Sequence, residues 1–104
     1  MFARRVSMHL KSDTAAEFTQ KLEKDIIPRL RNAKGFQDEL VFVSPSKKDA
    51  VAISLWDRAE SAEAYKNSTY PDVLKSLATM VEGTPQVETY EVCNSTFHKI
   101  AVAV

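Results

Sequence analysis

The sequence predicts one α+β domain whose strands and helices follow the order β-α-β-β-α-β. Apolar and polar residues alternate in four short stretches, as in strands, and two longer stretches carry apolar residues at helical spacing. The length of 104 residues suits one hydrophobic core rather than two. We therefore predict that residues 1–104 form a single domain.

The first strand is predicted over residues 2–11, where apolar and polar side chains alternate. One face carries the apolar residues Phe2, Val6, Met8 and Leu10, and the other carries Arg5, Ser7, His9 and Lys11. A helix follows, because Thr14 and Glu17 have the spacing of a capping box. Its apolar stripe consists of Phe18, Leu22, Ile26 and Leu30. Pro28 lies inside that stripe and should kink or tighten the last turn.

Two β-rich stretches, residues 38–44 and 50–56, flank a polar loop that contains Pro45, which predicts a hairpin. The second helix is predicted in two pieces, because Pro71 disfavours helical geometry in the residue before it. We expect Gly83 and Pro85 to end the second piece and the last strand to cover residues 86–94. Cys93 should be a small buried side chain on that strand.

This order predicts a ferredoxin-like fold, with a four-stranded antiparallel sheet and both helices on one face. The third strand is apolar on both faces, however, with Val51, Ile53 and Leu55 opposite Ala52 and Trp56. A sheet face exposed to water would carry polar residues there. We therefore predict a homodimer in which two sheets pack face to face as an α/β barrel. The apolar tail, residues 95–104, is a candidate fifth strand or an arm that reaches the partner.

Composition argues against several classes of protein. Fourteen basic residues balance fourteen acidic ones, so no positive field favours nucleic acid or an anionic membrane. The longest apolar stretch, residues 100–104, is far short of the ~20 residues of a membrane helix. A single cysteine excludes an intrachain disulfide and a multi-cysteine metal site, and it predicts a cytoplasmic protein. We expect no metal and no nucleotide cofactor, since neither ligand spacing nor a phosphate-binding glycine loop is present.

Several segments together resemble the antibiotic biosynthesis monooxygenase family. Residues 3–11, Glu17-Phe18 and residues 27–30 leading to Lys34-Gly35-Phe36 are similar to its first half. Ser54-Leu55-Trp56, residues 60–65 and Asn67-Ser68 are similar to its second half. The resemblance implies a dimeric α/β barrel. Members of that family include cofactor-independent oxygenases of quinols and polycyclic phenols, haem-degrading enzymes and proteins with no known activity.

The haem-degrading branch resembles this chain through Trp56 and Ser68, but that branch holds its iron with a histidine in helix 2. The corresponding position falls at or beside Lys75, and helix 2 contains no histidine. That branch also uses an asparagine in the first strand, which is absent here. We therefore predict a protein that works without haem or another cofactor.

Five residues are candidates for a functional site. The resemblance implies that Trp56 lies in a cavity between sheet and helices, where Tyr65 and Tyr70 would join it to bind a flat aromatic compound. The alternative for these three residues is ordinary core packing. His9 could remove a proton from a phenol and Arg5 could hold the resulting anion, the pieces that cofactor-independent oxygenation needs. The alternative for His9 is a structural role at the dimer interface, and His98 could cap the partner's cavity or be solvated.

Two functions follow from these candidates. The first is a cofactor-independent monooxygenase that acts on a small aromatic or quinol-like compound. The second is a non-catalytic dimeric protein of the same fold that binds a small molecule or serves in a stress response. The monooxygenase is the prediction and the non-catalytic protein is its alternative, because one fold supports many functions.

Overall fold

A computed structural model of the chain describes residues 1–100. Its elements are, in chain order, β1 (Phe2–Leu10), α1 (Ala15–Lys21), a π-helical segment (Leu22–Ile26), α2 (Ile27–Arg31), β2 (Phe36–Val43), β3 (Asp49–Trp56), α3 (Ala59–Ser68), α4 (Tyr70–Leu77) and β4 (Val81–Glu91). The predicted β-α-β-β-α-β order is confirmed.

The four strands form one antiparallel sheet in the order β2-β3-β1-β4. This is the predicted ferredoxin-like arrangement, with all the helices on one face of the sheet. The core lies between that face and the helices, and its fully buried large side chains are Phe18, Trp56 and Met80. The predicted stripe of the first helix is buried against this face.

The first helix begins where the sequence predicts, but its capping box does not form. Thr14 is the N-cap residue and makes no side-chain cap hydrogen bond. Its hydroxyl instead donates to the carbonyl oxygens of Lys11, at 2.7 Å, and Met80, at 3.3 Å. The threonine therefore ties the start of the helix to the end of the sheet.

Pro28 changes the helix in a different way from the predicted kink or tightening. The helix widens into the π-helical segment immediately before the proline, and Pro28 then occupies the first turn of α2. Because the helix continues from the π-helical segment into α2 without a gap, the missing amide hydrogen of Pro28 leaves one bond out of the helical ladder. The widened turn thus absorbs the proline without breaking the apolar stripe.

The break in the second helix is confirmed. α3 ends at Ser68 and α4 begins at Tyr70, with Thr69 between them and Pro71 in the first turn of α4. The Thr69 amide donates to the Tyr65 carbonyl at 2.9 Å, and the Thr69 carbonyl accepts from the Val73 amide at 3.2 Å. Thr69 therefore closes one helix and opens the next.

The last strand differs from its predicted bounds of 86–94. β4 begins at Val81 and ends at Glu91, and its pairing with β1 shifts between Ser7 and His9. Gly83 has φ +73° and lies with Pro85 in that shift, so the residues predicted to precede the strand form a bulge within it. Cys93 consequently lies beyond the strand and is exposed, which corrects its predicted burial.

The outer face of the sheet carries no helix among residues 1–100. Three large apolar or aromatic side chains on it are substantially exposed: Leu40 (40%), Phe42 (53%) and Tyr90 (48%). Residues 95–100 of the tail form no strand, and Nε2 of His98 hydrogen-bonds to the carboxylate of Asp38 in the same chain. Residues 101–104, which complete the predicted fifth strand or arm, lie outside the described part. No helix in residues 1–100 has the length and apolar character that a membrane span requires.

Candidate functional site

A cavity of about 40 Å³ lies between the helix-facing side of the sheet and the helices. Its polar lining consists of Arg4, Glu39, Ser54, Tyr65 and Tyr70, and the rest of its wall is apolar. One water molecule takes up ~30 Å³ in the liquid. The cavity therefore has room for a water molecule or two and is too small, as it stands, for an aromatic ring.

Arg4 is the cation of this cavity and is only 3% exposed. It lies on the helix-facing side of β1, in register with Phe2 and Val6. Its guanidinium carbon is 3.8 Å from the centre of the Tyr70 ring and 5.6 Å from that of Tyr65. Such contacts with aromatic faces stabilise a buried cation. Arg4 was not predicted from the sequence, although a charged residue in the apolar register of the strand was a signal for it.

Glu39, a half-buried residue, is the second charged side chain of the cavity and was not predicted from the sequence. A bulge in β2, between Phe36 and Asp38, brings it onto the helix-facing side opposite Ser54. Its Oε2 atom is buried and has no hydrogen-bond partner among residues 1–100. Burial raises the pKa of Glu39 to about 8, against the opposing effect of the Arg4 charge. Most Glu39 side chains are therefore protonated and neutral at pH 7.

Tyr65 and Tyr70 both line the cavity, as predicted for a binding site, and their ring centres are 6.1 Å apart. Tyr65 comes from the last turns of α3, and Tyr70 is the first residue of α4. Burial raises the pKa of the Tyr65 phenol. The tyrosine therefore stays a neutral hydroxyl, and the helix break aims both rings at Arg4.

Trp56 does not line the cavity but supports it from behind. It is fully buried, and its ring centre is 5.0 Å from that of Tyr65 and 5.6 Å from that of Phe36. Its Nε1 donates to Oγ of Ser54 at 2.9 Å, and Ser54 in turn donates to the Arg4 carbonyl at 3.4 Å. The core-packing alternative therefore describes the position of Trp56 better than direct contact with a ligand.

His9 and Arg5 lie on the opposite face of the sheet from the cavity. Nδ1 of His9 is 2.7 Å from the carboxylate of Asp49, and Arg5 forms an ion pair of 2.8 Å with Glu88. The His9 side chain is 79% exposed and borders a broad surface groove at the end of the sheet. Within the single chain, the structure thus does not bring His9 or Arg5 together with the three aromatic residues. Their catalytic roles stay predictions.

The wall formed by Arg4 and Tyr70 separates the cavity from a wider groove between α3 and β4. The same two residues line that groove, which has a volume of about 690 Å³ and also includes Phe2, Lys66 and Thr89. In the part of the chain that is described, no three His, Cys, Asp or Glu side chains are grouped so that they could hold a metal ion.

No family model and no curated protein matches the chain. Solved structures share its fold. A Nitrosomonas europaea protein, provisionally named an antibiotic biosynthesis monooxygenase, is 16% identical and has a TM-score of 0.75, covering 90% of this chain and 100% of that one. A Streptomyces coelicolor monooxygenase, ActVA-Orf6, in complex with nanaomycin D is 12% identical and has a TM-score of 0.78, covering 94% and 92%.

SnoaB, a cofactor-independent oxygenase from Streptomyces nogalater, is 11% identical and has a TM-score of 0.76, covering 91% of this chain and 95% of that one. These comparisons confirm that the chain has the fold of proteins that carry the name antibiotic biosynthesis monooxygenase. At such low identity they concern the fold alone.

Proposed function

We propose that the protein is a cofactor-independent monooxygenase that acts on a small aromatic or quinol-like compound. The observation that carries the proposal is the cavity, where two tyrosine rings, a buried guanidinium and a half-buried carboxyl group meet. An apolar core gains nothing from a buried guanidinium and a buried carboxyl oxygen that has no hydrogen-bond partner. Their burial is explained if they serve a ligand.

The lining suits the chemistry of such an oxygenase. A phenol with a free para position and one O₂ become a para-quinone and one water molecule. One oxygen atom enters the ring, the other leaves as water, and the substrate supplies all four electrons. The protein has to bind the ring, favour its anion and exclude bulk water, for which the tyrosine rings, Arg4 and the apolar wall are suited.

The substrate needs more space than the cavity of about 40 Å³ provides. We propose that it enters from the groove between α3 and β4 by displacing the Tyr70 ring from Arg4. Tyr70 is suited to this movement because it stands at the joint between two helices, next to Thr69. The aromatic substrate then takes the place of the Tyr70 ring over the guanidinium.

We also propose that the protein is a homodimer whose sheets pack face to face. Leu40, Phe42 and Tyr90 would then be covered, together with Val51 and Ile53 of the central β3 strand. Polar side chains of this face are already paired within the chain, as Arg5 is with Glu88 and His9 with Asp49. A second copy offers the same combination of apolar and neutralised surface and so fits this face best.

The second candidate function is a dimeric protein of this fold that binds a small molecule without changing it. The small volume of the cavity favours this candidate. In either case we propose a cytoplasmic location, because the exposed thiol of Cys93 is best preserved in a reducing compartment.

Oxygen consumption distinguishes the two candidates. The purified protein should be tested with naphthols and phenolic polyketides that have a free position para to the hydroxyl, without added metal or flavin, and the quinone formed should be quantified. We expect one O₂ consumed for each quinone, and we expect Tyr70→Ala to lower KM, because it removes the ring that the substrate has to displace from Arg4. Specific binding of these compounds with no oxygen consumption would refute the oxygenase and favour the second candidate.

A further inference from the structure

We propose that Glu39 and Arg4 together bind the acidic hydroxyl of the ligand, with Glu39 accepting its proton and Arg4 holding the resulting anion. This inference rests on the proposed function in so far as the ligand is a phenol or enol. It assigns the acid-base chemistry to two residues of the helix-facing side of the sheet rather than to His9 and Arg5.

The position of Glu39 is the first support. Its Oε2 atom is buried at the cavity without a hydrogen-bond partner among residues 1–100, and its strand neighbour Ser54 also lines the cavity. A buried carboxyl oxygen without a partner costs free energy. A ligand hydroxyl would remove that cost by supplying the missing partner.

The second support is the charge distribution around the cavity. Arg4, Tyr65 and Tyr70 are the charged or titratable groups that face Glu39 from β1, α3 and α4, whereas the first helix contributes only the apolar Leu22, Ile26 and Leu30. No ion pair forms between Glu39 and Arg4, so neither charge neutralises the other by contact. With a protonated carboxyl group, the cavity carries one uncompensated positive charge, which favours an anion.

The proposed step conserves atoms and charge. The neutral phenol meets the ionised form of Glu39, its O–H bond breaks, and the proton moves to Oε2. The products are a neutral Glu39 carboxylic acid and a phenolate. The phenolate oxygen then accepts one hydrogen bond from Glu39 and one from the Arg4 guanidinium. The ligand and Glu39 together carry one proton before and after the step.

This arrangement selects a class of ligand. A planar compound with one acidic hydroxyl fits, whether it is a phenol, a naphthol or an enol. A methyl ether of the same compound has no proton to give and forms no anion, so it should bind poorly. Arg4 and Glu39 thus act as specificity-determining residues as well as an acid-base pair.

Proton uptake tests the inference without requiring turnover. 4-Nitrophenol is bound as its phenolate at pH 9, where the Glu39 carboxyl group of the free protein is mostly ionised. Glu39 must then gain a proton to donate to the phenolate. We expect uptake of close to one proton per site in the wild type and none in Glu39→Gln, which is isosteric with the neutral acid. Glu23→Gln, an exposed carboxylate of the first helix, is the matched control and should behave as the wild type.

A second variant tests the role of the cation. We expect Arg4→Met to bind 4-nitrophenolate at least about tenfold more weakly, while Arg4→Lys keeps much of the affinity. The affinity for 4-nitroanisole, the methyl ether, should change little in either variant. Equal losses for both ligands would show that Arg4 only shapes the cavity and would overturn its proposed role.

The pH dependence of turnover is a third test of Glu39. In the wild type, kcat/KM should rise with pH up to about 8, the pKa of Glu39, and Glu39→Gln should remove this rise and slow turnover by about 100-fold. Proton uptake without any oxygen consumption would refute the oxygenase and support the acid-base pair. Proton uptake that persists in Glu39→Gln, or a wild type that does not bind 4-nitrophenol, would overturn the inference.

Discussion

At the scale of residues, the functional candidates are the buried Arg4 and the half-buried Glu39, which lie between the sheet and the helices. Arg4 interrupts the apolar face of β1, so the sequence contains a signal for it. Glu39 could not be found in the same way, because the bulge in β2 decides which face its side chain occupies. A strand without the bulge would have turned Glu39 toward the outer face.

The buried carboxyl group should make stability depend on pH. The unfolded chain releases the Glu39 proton near 4.5, whereas the folded chain keeps it up to about 8. The protonated Glu39 side chain therefore adds its full stabilisation to the free energy of unfolding below pH 4.5, and this stabilisation is lost as pH rises to 8. The expected slope is at most about 1.4 kcal/mol per pH unit.

Urea denaturation at several pH values measures this effect. Glu39→Gln should remove the decline between pH 4.5 and 8 that the wild type shows, and Glu23→Gln should retain it. Parallel curves for the wild type and Glu39→Gln would mean that the folded protein does not hold this proton.

At the scale of elements, local sequence signals predicted the helix break and the hairpin, but not the π-helical segment or the bulge in β4. Pro71 favours a helix start, because the fixed φ of proline suits the first turn of a helix. For Pro28 and Pro85, the geometry of the proline does not by itself predict the structure around it. The tertiary packing of the apolar stripe and the pairing of β4 with β1 decide how the chain accommodates them.

Gly35, in the turn before β2, fixes the position of α3. It has φ +83°, and a Cβ atom there would lie 2.3 Å from both the Asp57 carboxylate and the Ser61 hydroxyl. Its carbonyl also accepts from the Asp57 amide at 2.8 Å. Gly35→Ala should therefore displace the start of α3 and lower the free energy of unfolding by about 3 kcal/mol or more, from backbone strain and overpacking together.

Gly83→Ala is the matched control, because Gly83 also has a positive φ of +73° but a Cβ atom there meets nothing within 4 Å. We expect it to cost only about 1–2 kcal/mol, the strain of the left-handed conformation. Chemical denaturation of both variants gives the comparison. A Gly35→Ala variant no less stable than Gly83→Ala would contradict the close packing of this turn against α3.

At the scale of the whole molecule, the fold was predictable because the element order and the two-faced apolar strand both follow from patterning. The proposed dimer extends that argument to the exposed side chains of the outer face, of which Phe42 is 53% exposed. Replacement of Phe42 by a charged residue should therefore leave the fold of the chain intact but prevent the two sheets from packing together.

Sedimentation measures this directly. The wild type should sediment at twice the mass of the 11.7 kDa chain, and Phe42→Asp should shift the equilibrium to monomer while keeping its circular dichroism spectrum. Ala16→Asp, on the exposed surface of α1, is the matched control and should stay dimeric. A wild type that is monomeric in dilute solution would refute the dimer.

The central claim is that the cavity between the helices and the sheet is the ligand site. The amide NMR spectrum of the protein during titration with 4-nitrophenol tests it most directly, because each backbone amide gives its own signal and so shows where the ligand binds. We predict that the largest shifts belong to residues that line the cavity, above all Glu39, Ser54 and Tyr70. Shifts centred instead on the surface groove of His9 and Asp49 would contradict the claim and favour the predicted role of His9.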